Sequence, residues 1–228
     1  MQLTVLIPFF NEEKTLKEST LRVISMLPKA KILLIDDNSN DNSKSIAIEL
    51  ESTYSQIQLI QNFKNLGKGS ALNLSKDFIE TSHIVIHDAD LEYFPEDIIE
   101  MYELAKLYPN DMIIGSRFIG KKQRNNIYSR TYFANKLLSY FFSIIFMKKI
   151  SDIATCYKLI PSEFFKKVDF IENGFSIEIE MVAKFLKLKY NVHEVPISYS
   201  GRSYEEGKKI KPFDGIMYLI NTLKYRFF

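Results

Sequence analysis

The chain has 228 residues, 46% hydrophobic and 25% charged, a balance that excludes a disordered chain and suffices for one substantial core. Its formal net charge of +2 gives no general attraction for nucleic acid, and its single cysteine, Cys156, excludes an internal disulfide framework and suits a reducing compartment. Met1 leads directly into a strand pattern without a basic region or cleavage site, so no secretory signal is expected, and no run reaches the ~18 apolar residues of a membrane-spanning helix.

Leu3 to Pro8 reads as a buried strand that stops at the proline, followed by a helix starting at Asn11-Glu12-Glu13 with Leu16, Leu21, Ile24 and Leu27 on its apolar face. Lys31 to Ile35 is a second strand, and the polar run from Asp36 to Asp41 supplies helix-capping residues before Ile46, Ile48 and Leu50. A third strand, Ile57 to Ile60, precedes Asn65-Leu66-Gly67-Lys68-Gly69, which turns into a helix through Ala71, Leu72 and Phe78. His83 to Ile86 is the fourth strand and Asp111 to Gly115 the fifth, with a helix from Pro95-Glu96-Asp97 to about Leu107 between them. This alternation predicts a single α/β domain with a largely parallel, Rossmann-like central sheet flanked by helices.

Beyond Gly120 the chain becomes locally basic. Residues 137–147 are mostly apolar with Lys148-Lys149 behind them, a pattern that fits a helix lying in a membrane interface or a buried core helix equally well. Asp152 to Ile160 reads as strand or loop, Ile177 to Leu188 as a helix, Val192 to Ser198 as a strand, Gly201 to Lys211 as a basic loop, and Pro212 opens a terminal helix.

In parallel sheets ligands sit beyond the carboxyl ends of the strands, and Asn11-Glu12, Asp36-Asp37, Asp88-Asp90 and Ser116-Arg117 all fall there. The stretch His87-Asp88-Ala89-Asp90-Leu91-Glu92 sets three acidic side chains at alternate positions where a buried strand ends. That much negative charge calls for a cation, and a hard divalent ion, Mg2+ or Mn2+, shared with substrate phosphates suits such oxygens. Gly67-Lys68-Gly69-Ser70 lacks the first glycine of a P-loop, and no G-x-G-x-x-G follows the first strand. No G-x-S-x-G is present, His83, His87 and His193 show no zinc-ligand spacing, His83 and His87 read as strand-edge residues, and Cys156 reads as a buried small apolar residue. Metal-assisted group transfer survives, with Asp88 and Asp90 holding the ion and Arg117 clamping phosphate oxygens.

Pro8-Phe9-Phe10-Asn11-Glu12, Asp36-Asp37-x-Ser39-x-Asp41, Asn65-x-Gly67-Lys68-Gly69-x-Ala71, Asp88-Ala89-Asp90-Leu91, Gly115-Ser116-Arg117-Phe118, Gly174-Phe175-Ser176-Ile177-Glu178-Ile179-Glu180 and Glu194-Val195-Pro196-Ile197 through Gly201-Arg202-Ser203-Tyr204 together resemble the family 2 glycosyltransferases. The branch they are most similar to is that of dolichyl-phosphate mannose synthases and polyprenyl-phosphate glycosyltransferases. The resemblance implies a GT-A fold, an inverting mechanism and a nucleotide-sugar donor. It places Pro8, Phe10, Asn11, Glu12, Asp37, Lys68 and the Asp88-Ala89-Asp90 triplet around that donor, with Asp88, Asp90 and Glu92 at the metal. Phe10 stands where the family usually has Tyr, which keeps stacking and loses a phenolic hydrogen bond, and Glu92 stands where the branch often has Gln. Arg117, Arg130, Arg202 and Lys208 match basic positions near the diphosphate and the acceptor phosphate.

A sugar hydroxyl acceptor would need a general base, for which Asp152 and Glu178 are candidates, whereas a polyprenyl phosphate is already an anion and needs cations instead. The basic second half favours the lipid phosphate, so residues 1–120 are expected to bind the nucleotide sugar and 121–228 the acceptor at the cytoplasmic face of a membrane. Members of this branch often carry additional membrane-spanning helices; without them, membrane contact would be peripheral or supplied by a separate membrane subunit. Two alternatives remain open: a family 2 transferase that extends a surface polysaccharide or glycolipid, and a non-catalytic nucleotide-sugar-binding subunit. A sugar-1-phosphate nucleotidyltransferase lacks support because no glycine-rich loop follows the first strand.

Overall fold

The computed structural model describes residues 1–126, 129–202 and 212–228, and for 129–130 and 212–214 the backbone alone. The strands are β1 (Leu3–Phe9), β2 (Lys31–Asp36), β3 (Ile57–Gln61), β4 (His83–Ile86), β5 (Met112–Ser116), β6 (Arg124–Asn125), β7 (Lys158–Pro161), β8 (Val192–Pro196) and β9 (Tyr199–Ser200). The helices are α1 (Leu16–Met26), α2 (Ser43–Thr53), α3 (Lys68–Leu74), α4 (Glu96–Leu107), α5 (Ser129–Phe146), α6 (Ser162–Lys167), α7 (Ile177–Lys187) and α8 (Pro212–Phe227), with a 3-10 turn at Ser75–Phe78.

Seven strands form one sheet in the order β3-β2-β1-β4-β7-β5-β8, and β6 pairs with β9 in a small second ladder. All pairings in the large sheet are parallel except those of β7, which runs antiparallel to both β4 and β5. β1 is buried along its whole length and β2 at all but its first residue, as expected of strands covered on both faces. The antiparallel β7 enters the sheet from the carboxyl edge of its parallel neighbours, so the segment leading into it, residues 151–157, is delivered to that edge.

β1 continues through Pro8 to Phe9, although a stop at the proline is what the sequence suggests. Phe9 accepts from the Asp37 amide on the β2 side and Leu6 from the His87 amide on the β4 side, so Pro8 faces the β4 side, where β4 has already ended at Ile86 opposite Leu6. Its missing N–H therefore removes no ladder bond. α1 likewise starts at Leu16, later than the Asn11-Glu12-Glu13 start expected. Asn11 takes a left-handed conformation (φ 53°); its backbone amide donates to Ser39 Oγ, and its side-chain Oδ1 accepts from the Asn40 amide. The Glu12 amide bonds to Ser43 Oγ, so this loop is laced to the one after β2 before any helix can begin.

The run expected at 137–147 belongs to the longer α5, whose two faces differ in burial. Leu138, Phe142, Ile145 and Phe146 pack into the core. Phe133, Leu137, Tyr140, Ile144 and Met147 stand exposed at helical spacing. α8 packs against α5 and α7, burying Tyr218 and Tyr225 while Ile216, Ile220, Leu223 and Phe227 remain exposed. No helix among the described residues is long and apolar enough to cross a membrane.

Candidate active site

The carboxyl edge of the sheet gathers the polar loops as expected, but it divides their side chains into three groups. The first is structural lacing. Asp37 accepts from Asn62 Nδ2 (2.8 Å), the Leu66 amide (3.1 Å) and the Gly67 amide (2.7 Å), so it fixes the loop 62–67. Gly67 (φ 99°) and Gly69 press that loop onto residues 172–174: the Gly69 amide donates to the Asn173 carbonyl at 2.7 Å, and a Cβ at Gly69 would lie 1.9 Å from the Glu172 carbonyl oxygen. Pro8 and Ala89 are buried, and Asn11 is exposed on its loop.

The second group is a buried charge chain beneath Asp88. Lys68 Nζ lies 2.8 Å from Asp88 Oδ1 and 2.8 Å from Glu178 Oε1, and Lys158 Nζ is 2.5 Å from Glu178 Oε2. Burial opposes the charge on Lys68, yet the neighbouring Asp88 and Glu178 hold its pKa well above the usual lysine value, and Lys68 in turn holds Asp88 below the usual carboxylate range. Lys158, which is fully buried in β7, escaped the sequence reading because a lone lysine in an apolar run carries no motif; only the antiparallel insertion of β7 sets it under the site. His87 is no strand-edge residue either. It bridges Ser19 Oγ (3.0 Å) and Tyr157 Oη (2.8 Å), and burial lowers its pKa to about 4, so it is a neutral core imidazole. Cys156 is buried, as expected.

The third group surrounds Arg202. Its guanidinium meets Asp90 Oδ2 at 2.7 Å, Glu12 Oε2 at 3.3 Å and Glu92 Oε1 at 3.6 Å, while its amide donates to Glu92 Oε1 at 2.8 Å. Glu92 Oε2 accepts from Tyr199 Oη at 2.6 Å. Burial, with the charges of Glu92 and Asp88 beside it, pushes Asp90 up to about 8.

Three sets of expected site residues find partners within the protein here. Arg117 does not reach out as a phosphate clamp: its Nε and Nη2 bind Asp152 Oδ2 and Oδ1 at 2.7 and 2.8 Å, boxed by the rings of Tyr93, Tyr199 and Phe118. Asp152 is fully buried in that pair and also accepts the Arg117 amide (3.0 Å), so it is not poised as a base. Glu178 is likewise engaged, by two lysines. Asp88, Asp90 and Glu92 are likewise not gathered as a preformed metal cage; among the described residues no three His, Cys, Asp or Glu groups stand close enough. Asp88 is engaged by Lys68, and Asp90 and Glu92 by Arg202. Lys208 and the side chain of Arg130 lie outside the described residues.

The charge balance nevertheless fits a divalent ion. Among the described residues, the acidic side chains of Glu12, Asp88, Asp90, Glu92 and Glu178 converge on Lys68, Lys158 and Arg202, so acids outnumber bases there. The raised pKa of Asp90 expresses that excess, and a dication would relieve it.

The profile described as Glycosyl transferase family 2 matches residues 4–169. The chain belongs to this family. Among curated relatives, a dolichol-phosphate mannosyltransferase of Pyrococcus furiosus is 29% identical over 99% of this chain and 64% of its own length. A dolichyl-phosphate beta-glucosyltransferase of Homo sapiens is 26% identical over 93% of this chain and 70% of its own. The chain thus spans a little under two thirds of the archaeal relative. In fold it matches glucosyl-3-phosphoglycerate synthase from Mycobacterium tuberculosis, solved with Mn2+, UDP-glucose and phosphoglyceric acid, at a TM-score of 0.73 and 18% identity over 99% of this chain and 79% of that one. The family 2 chain therefore has the expected GT-A architecture, a central, mostly parallel sheet flanked by helices.

Proposed function

We propose that this chain is an inverting glycosyltransferase that moves a hexose from a nucleotide-diphosphate sugar, of the GDP-mannose or UDP-glucose type, to a polyprenyl phosphate. The observation that carries the reading is the state of the two candidate bases. Asp152 is paired with Arg117 and Glu178 with Lys68 and Lys158, which supports an acceptor that needs no proton removed. A phosphate monoester needs no such group, because its attacking oxygen is an anion near neutral pH. The curated relatives, named for transfer to dolichyl phosphate, support the same acceptor class.

Asp88 and Asp90 would hold the Mg2+ or Mn2+, and the ion would neutralise charge developing on the departing nucleoside diphosphate. Lys68 keeps Asp88 ionised for that purpose, and its own place is fixed by Glu178 and Lys158. Phe10, Glu12 and the loop held by Asp37 border the edge where the nucleoside would lie. The exposed apolar stripes of α5 and α8, with Lys136, Lys148, Lys149, Lys224 and Arg226 on or beside those helices, support peripheral contact with the cytoplasmic face of a membrane, where a lipid-borne phosphate is presented.

The test is transfer from a panel of labelled nucleotide sugars to a short prenyl phosphate, compared with sugar hydroxyl acceptors. Product on the prenyl phosphate is expected. Turnover confined to sugar hydroxyls would overturn the reading in favour of polysaccharide or glycolipid extension, and donor binding with no transfer to any acceptor would indicate a non-catalytic subunit.

A further inference from the structure

Glu12 follows β1, Asp90 and Glu92 follow β4, and Arg202 follows β9 near the other end of the chain, yet all four converge at the carboxyl edge. The occupant at the centre of the three acids is a guanidinium, largely buried and anchored through its own amide to Glu92. Among the described residues it is the cation that these three acidic side chains share, and its planar width keeps their oxygens apart. It also bonds to Asp90 Oδ2, an oxygen of the acid on which a divalent ion would depend. Two cations crowded onto one carboxylate repel each other, so the guanidinium and the ion compete for it.

We propose that Arg202 is the internal competitor of the metal: it seats on Glu12, Asp90 and Glu92 when no donor is present, and leaves them for the diphosphate when the ion takes Asp90. The proposal rests on the metal-and-diphosphate reading above and adds an order to it. The ion vacates the partner that Arg202 loses, and the diphosphate supplies the partner it gains. Each ligand therefore removes an obstacle to the other, and by linkage the strengthening is equal in both directions. Arg202 is a positioning residue in this account, and its effect is visible in binding without turnover.

The experiment is a titration of the full chain with Mn2+ alone, followed by the electron paramagnetic resonance of the free ion, with and without GDP or UDP. Wild type is expected to bind Mn2+ weakly by itself and on the order of tenfold more tightly with the nucleoside diphosphate. Arg202→Gln is expected to bind Mn2+ alone several-fold more tightly than wild type does alone, and to gain less from the nucleotide than wild type gains, the remaining gain being the diphosphate's own hold on the ion; Arg202→Lys falls between them and covers the case in which the glutamine variant folds poorly. Equal Mn2+ affinity of wild type and Arg202→Gln without nucleotide, in proteins with matching melting curves, overturns the competition while leaving the metal reading intact. No Mn2+ binding by any variant, with or without nucleotide, overturns both.

Discussion

Replacing Asp152 by Asn tests whether Arg117 is part of the scaffold. Asp152 is fully buried and accepts three bonds from Arg117, from its amide at 3.0 Å, Nε at 2.7 Å and Nη2 at 2.8 Å. Asn keeps the shape but loses the charge and turns an NH2 group toward a guanidinium donor, stranding a buried cation. Breaking a buried pair in this way costs about 3–5 kcal/mol, a large part of the ~5–15 kcal/mol that holds a domain together. At ~2–4 °C per kcal/mol for a chain of this size, the melting temperature should fall by roughly 6–20 °C. The double replacement Arg117→Met with Asp152→Leu removes both charges and should recover most of that loss. Urea titration followed by far-ultraviolet circular dichroism measures the free-energy losses, with an unchanged slope showing that only stability moved, and a thermal melt measures the temperature shift. A loss below about 1 kcal/mol for Asp152→Asn would refute the reasoning and return Arg117 to the role of an available phosphate clamp.

The close approach of the loop to residues 172–174 predicts that Gly69→Ala destabilises by about 1–3 kcal/mol or more, because its Cβ would meet the Glu172 carbonyl, whereas Gly174→Ala, with nothing within 4 Å, changes stability by under about 1 kcal/mol. Equal losses in urea titrations of the two variants would refute that reading of the glycine-lysine-glycine turn. Chelation should stop transfer and added Mg2+ or Mn2+ restore it, and Asp90→Asn should lower kcat by at least on the order of 100-fold; full turnover in excess chelator counts against the metal role. On the lipid side, wild type should float with anionic vesicles, while Leu137→Glu and Ile220→Glu should each weaken that partition at least about tenfold, since burying one leucine-sized side chain is worth ~1.5–3 kcal/mol. Wild type remaining at the bottom of the gradient would remove the membrane contact from the proposal.

Much of this architecture was legible because it is local. The apolar runs at Ile32–Ile35 and Ile84–Ile86, separated by amphipathic helices, could be little other than parallel strands, and a parallel sheet collects its loops at one edge. The pairing of the charges was not legible, because it depends on which residues meet across large separations: Lys68 with Glu178, Arg117 with Asp152, Glu12 with Arg202. Motif matching treats each such group as free for substrate, whereas a buried charge must first find a partner within the protein. The antiparallel β7 was equally hidden, since Lys158–Pro161 is a short stretch, a lysine followed by three apolar residues, whose direction no pattern reveals, and with it went Lys158. The same limit explains α5, where an apolar stripe on each side of one helix reads as a single hydrophobic run.

The acids of the site differ in what holds their partners. Asp152 is met by Arg117 directly after β5, and Glu178 by Lys158 within β7 and Lys68 in the first turn of α3, all on elements packed into the core. Those partners cannot leave without local unfolding, so their carboxylates belong to the scaffold. Arg202 stands two residues beyond the two-residue strand β9, and its side chain is held mainly by the acids themselves. Release of that side chain costs the contacts it makes and little else, and an incoming cation can replace those contacts. Ligand-dependent chemistry should therefore concentrate on Glu12, Asp90 and Glu92, beside Asp88 at the proposed metal. Substitutions of Asp152 or Glu178 should register first in unfolding, and those of Arg202 first in metal binding. A stable, fully folded Glu178→Gln chain with altered Mn2+ affinity, beside an Arg202→Gln chain that merely melts earlier, would show that this division is drawn in the wrong place.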